Sequence, residues 1–108
     1  MPTELCLVYM TAGSADEAAT IGETLVAEHL AACINLIDGM TSVYRWEGKI
    51  QRETETVMIA KTTKDRVAAL SERVREMHSY SCPCIVVIPI DSGNADFLSW
   101  ISEQVKLN

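Results

Sequence analysis

The sequence predicts an α+β fold, an antiparallel sheet with helices on one face, and three observations carry that prediction. Apolar runs of strand-favouring type, ELCLVYM at residues 4–10 and CIVVIPI at 84–90, lie near the two ends of the chain. Two stretches of helical period, at about residues 15–30 and 67–77, fall between those runs. Between the helices stand two long extended segments joined by the turn sequence EGK. The order strand, helix, strand, strand, helix, strand, with a short helix after it, is the βαββαβ pattern of a ferredoxin-like sandwich.

Each element has a local reason. Ser14 and Glu17 form a capping-box pair ahead of the first helix. Ile21, Leu25, Val26 and Leu30, with small Ala18 and Gly22 beside them, give that helix one side that can press on a sheet. ACINLI reads as the second strand, interrupted by a bend or bulge at Asp38-Gly39 and resumed through TSVYRW. After EGK the chain returns as IQRETETVMIAKTT, rich in Thr, Val and Ile. Val67, Leu70, Val74 and Met77 mark the second helix, with Thr62 and Asp65 placed to cap its start and an end at or just before His78. Pro89 stands near the end of the last strand, and Asn94 caps the terminal helix in GNADFLSWISEQV. Right-handed crossovers then place the first strand in the sheet interior, antiparallel to the last.

Composition narrows the function. A chain of 108 residues with 48% hydrophobic content is expected to be one domain, residues 1–108, around one core. Nine basic residues against fifteen acidic ones give a formal charge of −6, which repels a phosphate backbone and leaves no basic stripe, so no nucleic-acid partner is expected. No apolar run approaches the ~20 residues of a membrane helix, and no stretch has the pattern of an export signal. A soluble, cytoplasmic protein without a membrane partner is the expectation, with Cys6, Cys33, Cys82 and Cys84 as free thiols. Cys6 and Cys33 are assigned to the core. No Ser-His-Asp order, glycine-rich phosphate loop or H-E-x-x-H motif points to catalysis.

The tip half of the hairpin, VYRWEGKIQRETE, is too polar on its return strand to build a core. A two-stranded ribbon alone is marginal in water, so arms carrying Tyr44 and Trp46 need a surface, and a homo-oligomer is expected. These aromatics read first as interface anchors and second as the lining of a small-molecule pocket. Lys61, leaving a strand beside a helix start, reads either as a solvated charge or as an anion holder.

Several stretches together, LAACINLIDGMTSVYRWEGKIQ, KTT, His78-x-Tyr80, Pro83 and GN with FLSW, closely resemble the CutA family of divalent-cation tolerance proteins over nearly the whole chain. The resemblance implies a homotrimer of ferredoxin-like subunits, similar in architecture to the PII signalling proteins, linked to copper and other divalent-metal tolerance and without an established catalytic activity. It also implies a metal site, made of a cysteine late in the first strand, the histidine before Pro-Tyr and a glutamate just after x-Pro. In this sequence those positions are Met10, His78 and Cys84, with Ser79 in place of the proline.

The topology independently brings the end of the first strand to the start of the last, so Met10, His78, Cys82 and Cys84 are expected to converge. A thioether, an imidazole and one or two thiolates form a soft set that favours copper as Cu(I) and also suits zinc. The C-x-C spacing puts Cys82 and Cys84 on one side of an extended chain with Cα atoms ~6.6 Å apart, a poor clasp by itself and a strained disulfide. Packing remains the alternative for the sulfurs, and capping of the helix end for His78. Two functions are thus expected: a trimeric metal-binding protein of copper tolerance, or a PII-like sensing trimer with a small anion held near Lys61, Trp46 and Tyr44 between subunits.

Overall fold

A computed structural model describes residues 4–107. Its elements run β1 (Leu5–Ala12), α1 (Ala15–Ala27), β2 (Cys33–Trp46), β3 (Lys49–Thr63), a 3-10 turn (Lys64–Arg66), α2 (Val67–Met77), β4 (Ile85–Pro89) and α3 (Ala95–Gln104). The sheet order is β2-β3-β1-β4 with every pairing antiparallel, so β1 is interior, as right-handed crossovers require.

Alternation along β1 decides what each face does. Cys6, Val8 and Met10 are buried, and their partners on β3 are Thr62, Ala60 and Met58. Those side chains meet Ala18, Ile21 and Leu25 of α1 and Leu70 and Val74 of α2, which makes the main core. A smaller cluster of Ala32, Ile101 and Val105 with Leu5 and Leu98 seats α3.

Helix α1 ends at Ala27, three residues earlier than its apolar pattern suggests. His29 adopts the left-handed conformation with φ 59°. The Leu30 N–H then reaches the Leu25 carbonyl and the His29 N–H that of Val26, a Schellman motif that keeps Leu30 buried although it lies outside the helix. A histidine stands where glycine is usual, and its Nδ1 lies 3.0 Å from the Gln104 carbonyl, tying down the end of α3.

The expected caps of α2 are not made. Thr62 is an interior residue of β3, and its hydroxyl donates to the Leu30 carbonyl at 2.7 Å. Asp65 accepts from the Thr63 hydroxyl within the 3-10 turn that leads into the helix. The other two helix starts follow the sequence: Ser14 Oγ accepts the Glu17 N–H and Asn94 Oδ1 the Asp96 N–H, both at 3.1 Å.

The hairpin is the longest feature. Its register slips between Ile37 and Met40, at Asp38-Gly39, and resumes to the tip. Glu47 and Gly48 both have positive φ, 49° and 77°, the backbone of a type I′ turn between the paired Trp46 and Lys49. From that turn Tyr44 pairs with Gln51 and Ser42 with Glu53, so these side chains share one face of the ribbon.

Candidate functional site

The segment after α2, residues 78–84, is held against the end of β1 by side chains on both sides. Ser79 donates its N–H to Glu17 Oε2 at 2.7 Å, and Gly13 donates its N–H to Glu17 Oε1 at 3.3 Å. The Glu17 carboxylate therefore ties the β1–α1 turn to the segment after α2, beyond its expected role in a capping box. Burial alone would raise its pKa. The Ser79 hydrogen bonds, the nearby His78 and the Gly13 N–H outweigh burial and hold it below the ordinary carboxylate value.

His78 is fixed at both ring nitrogens. Nε2 lies 2.8 Å from the Thr11 carbonyl, which can only accept, so Nε2 carries the proton. Nδ1 accepts the Tyr80 N–H at 3.0 Å. The Tyr80 ring packs on the imidazole with centroids 4.7 Å apart, and its hydroxyl donates to Glu55 Oε2 at 2.9 Å. Burial, followed by the Glu55 bond and charge, pushes the Tyr80 phenol up to about 12, so it stays a neutral donor. Glu55 also accepts from the Ser42 hydroxyl.

These contacts form the floor of a cleft of about 590 Å³. The hairpin supplies Tyr44, Trp46, Gln51, Glu53 and Glu55 along one wall. Tyr80, Ser81, Cys82 and Cys84 make the other, with Thr11 between. The Tyr44 phenol pKa is raised, first by a hydrogen bond to Glu53. Burial, then the charge of Glu55, raises the Cys84 thiol as well. The lining holds two carboxylates and no lysine or arginine.

The predicted site residues separate into four groups. Cys82 and Cys84 do share the cleft, and Tyr44 and Trp46 join them there. Met10 does not: it is fully buried, packed among the core residues on the helix side of β1, whereas its neighbour Thr11 lines the cleft on the other side. His78 lies nearby, but with one nitrogen protonated and the other accepting it has no free lone pair for a metal. Among the described residues no group of three or more His, Cys, Asp or Glu side chains could hold a metal ion. The four-residue convergence expected from the topology is therefore reduced to the two thiols. Lys61 lies elsewhere, near Cys33 Sγ at 3.7 Å and bonded to Asn35 Oδ1, and Cys33 is half-buried rather than a core residue.

Glu53, Glu55, Tyr80 and Glu17 are the site residues that sequence reasoning passed over. The signal for the first two was available, because a two-residue turn at Glu47-Gly48 fixes which return-strand side chains face Tyr44 and Trp46.

A family model described as CutA1 divalent ion tolerance protein matches residues 6–104. The chain belongs to the CutA1 family. It is 42% identical over 98 residues to the divalent-cation tolerance protein CutA of Thermus thermophilus, covering 91% of this chain and 95% of that protein. Against the protein of the same name from Archaeoglobus fulgidus it is 44% identical over 99 residues, 92% of this chain and 96% of that one. The crystal structure of CutA1 from Oryza sativa superposes with a TM-score of 0.95 at 33% identity, covering 98% of this chain and 97% of that one. Membership of a divalent-cation tolerance family supports a role in metal tolerance for this CutA1 chain. No helix among its described residues is long and apolar enough to cross a membrane.

One stability prediction arises from the clasp. Glu17→Gln is expected to destabilise the protein by about 1–2 kcal/mol at neutral pH, through loss of charge-assisted bonds to Ser79 and Gly13. A carboxyl depressed in the folded state stabilises above its unfolded pKa, ordinarily 4.5, and that contribution is lost as pH falls through the folded value. Urea midpoints from pH 7 to pH 3 should therefore converge for wild type and variant on the acid side. Parallel curves would show that Glu17 contributes no linked proton.

Proposed function

We propose that this CutA1 protein is a homotrimeric metal-tolerance protein that takes copper, as Cu(I), between Cys82 and Cys84. The observation that carries the reading is that both thiols line one cleft, in a segment pinned by His78 and Glu17 that bends through Cys82 and joins β4 only at Ile85, so the extended-strand spacing that made them a poor clasp does not apply. Sulfur ligands select Cu(I), which is satisfied by two of them where zinc asks for four ligands. Because Cys84 holds its proton more firmly than usual, metal uptake must displace that proton, and affinity should fall on acidification. The protein acts by binding, not catalysis, in the reducing cytoplasm where its thiols stay free.

The trimer is supported by surface that one chain leaves uncovered. Strands β2 and β4 are the two open edges of the sheet, and β4 exposes Val86, Val87 and Ile88. The hairpin exposes Val43, Trp46 and Ile50. Two different edges on one subunit suit head-to-tail pairing, which closes into a ring when the rotation allows. A small-anion role resting on Lys61 together with Tyr44 and Trp46 gains nothing from this arrangement, since Lys61 does not line the cleft and two carboxylates do.

Anaerobic competition with a chromophoric Cu(I) chelator tests the copper site. Wild type should bind one copper per chain, and Cys82→Ser or Cys84→Ser should weaken binding by roughly a hundred-fold, about 2.7 kcal/mol. Unchanged stoichiometry and affinity in the double variant would remove these thiols from the reading.

A further inference from the structure

The two bonds that the His78 ring makes answer differently to a proton. Nε2 donates to the Thr11 carbonyl, and it keeps that role whether the ring is neutral or charged. Nδ1 accepts the Tyr80 N–H, which only the neutral ring allows. A proton from solvent goes to Nδ1, turns it from acceptor into donor and leaves two N–H groups facing each other. The side chain is wholly buried within its own chain, so these bonds do not depend on what covers the cleft in the assembly.

The charged ring has an acceptor close at hand. Glu17 Oε2, on α1, lies 3.8 Å from Nδ1, beyond hydrogen-bond reach but near enough to attract an imidazolium. Burial works against ionisation of Glu17, and the Ser79 bonds, the nearby His78 and the Gly13 N–H outweigh it, so the carboxylate is charged where an imidazole titrates. From β3, Glu55 and Glu53 stand beyond Tyr80, whose hydroxyl bonds Glu55 and whose phenol, at about 12, stays neutral. The Cys84 thiol, raised by burial and by the charge of Glu55, also keeps its proton. β1 presents only the Thr11 carbonyl, and α2 ends at His78, where the helix dipole favours positive charge. The charges facing the ring within the chain are thus all of the sign that stabilises its protonated form.

We infer that His78 and Glu17 form a proton-operated latch on residues 79–84: the neutral ring holds the Tyr80 backbone, and the charged ring turns to Glu17 and lets it go. Release of Tyr80 slackens its bond to Glu55 and frees the chain that leads to Cys82 and Cys84. The latch acts on this segment whether or not the thiols hold copper, so it stands or falls apart from the copper reading.

NMR of the full chain, labelled with 15N and kept in EDTA, tests the inference. Between about pH 7.5 and about pH 5.5 the His78 ring signals should pass from neutral to charged. With the same midpoint, the Tyr80 amide should lose at least roughly ten-fold of its hydrogen-exchange protection, corrected for the intrinsic rate, while the Ser79 amide held by Glu17 keeps its own. Glu17→Gln should move that midpoint to lower pH, because it removes a charge that favours the imidazolium. His78→Gln, whose amide can donate to the Thr11 carbonyl but does not titrate, should abolish the pH dependence at Tyr80. The inference is overturned by a ring that stays neutral over this range, by a ring that charges without effect on Tyr80, or by equal loss at Ser79, which is melting of the whole segment. It is overturned too if the pH dependence survives in His78→Gln. Where that variant fails to fold, a midpoint unmoved in Glu17→Gln decides against the latch.

Discussion

Replacing His78 with alanine is expected to lower stability by about 2–4 kcal/mol and to leave copper stoichiometry intact. The ring is the donor to the Thr11 carbonyl and the acceptor for the Tyr80 N–H, and its side chain is wholly buried. Alanine strands both backbone groups and removes the ring that Tyr80 packs on. Each unpartnered buried polar group costs about 1–3 kcal/mol, which sets the range after partial relaxation and entry of water. Tyr80 would then be less well fixed to Glu55, so the cleft should loosen along with the segment carrying Cys82 and Cys84. Urea denaturation at fixed protomer concentration measures the loss, since the stability of an oligomer depends on that concentration. A variant as stable as wild type that no longer takes up copper would make His78 a ligand and the hydrogen-bond reading wrong.

The fold was legible where one periodicity governs a whole element. The spacing of Val67, Leu70, Val74 and Met77 placed α2 to its last residue, and Asn94 marked the start of α3, because caps and apolar faces are local properties of the chain. The site was less legible because it depends on which side of a strand a residue faces. Met10 and Cys84 sit near each other at the β1–β4 junction, yet a sheet separates the side chains, and a spacing argument that tracks strand ends without tracking alternation brings them together wrongly. Within one chain Lys61 stands apart from the aromatics: six residues from Glu55 on β3 is about 20 Å, so only a site between subunits brings the KTT segment and the hairpin aromatics together. Thr62 looked like a cap because it stands just ahead of the helical pattern, yet it is still inside β3, and its hydroxyl finds the Leu30 carbonyl through tertiary packing that no local pattern encodes.

Met10→Ala separates the core reading of this residue from the ligand reading more sharply than any other single change. Met10 is fully buried among Val8, Leu25 and Met58, with Ile85 of β4 as its register partner, so truncation removes three heavy atoms from a packed interior. Large-to-alanine changes at such positions cost about 2–5 kcal/mol, from lost transfer free energy plus the cavity that remains. The lower half of that range applies if the neighbouring Met58, itself flexible, moves into the space. Met10→Leu keeps the volume and removes the sulfur, and it should cost less than about 1.5 kcal/mol. The pair of variants divides the possibilities: a core residue gives a large loss in alanine, a small one in leucine and normal Cu(I) affinity in both when folded. A ligand would instead give weakened copper binding in leucine with stability preserved. Because the thioether points away from the cleft that holds Cys82 and Cys84, the first pattern is the expected one, and it would mean that in this chain copper chemistry, where it occurs, is confined to the cleft side of the sheet.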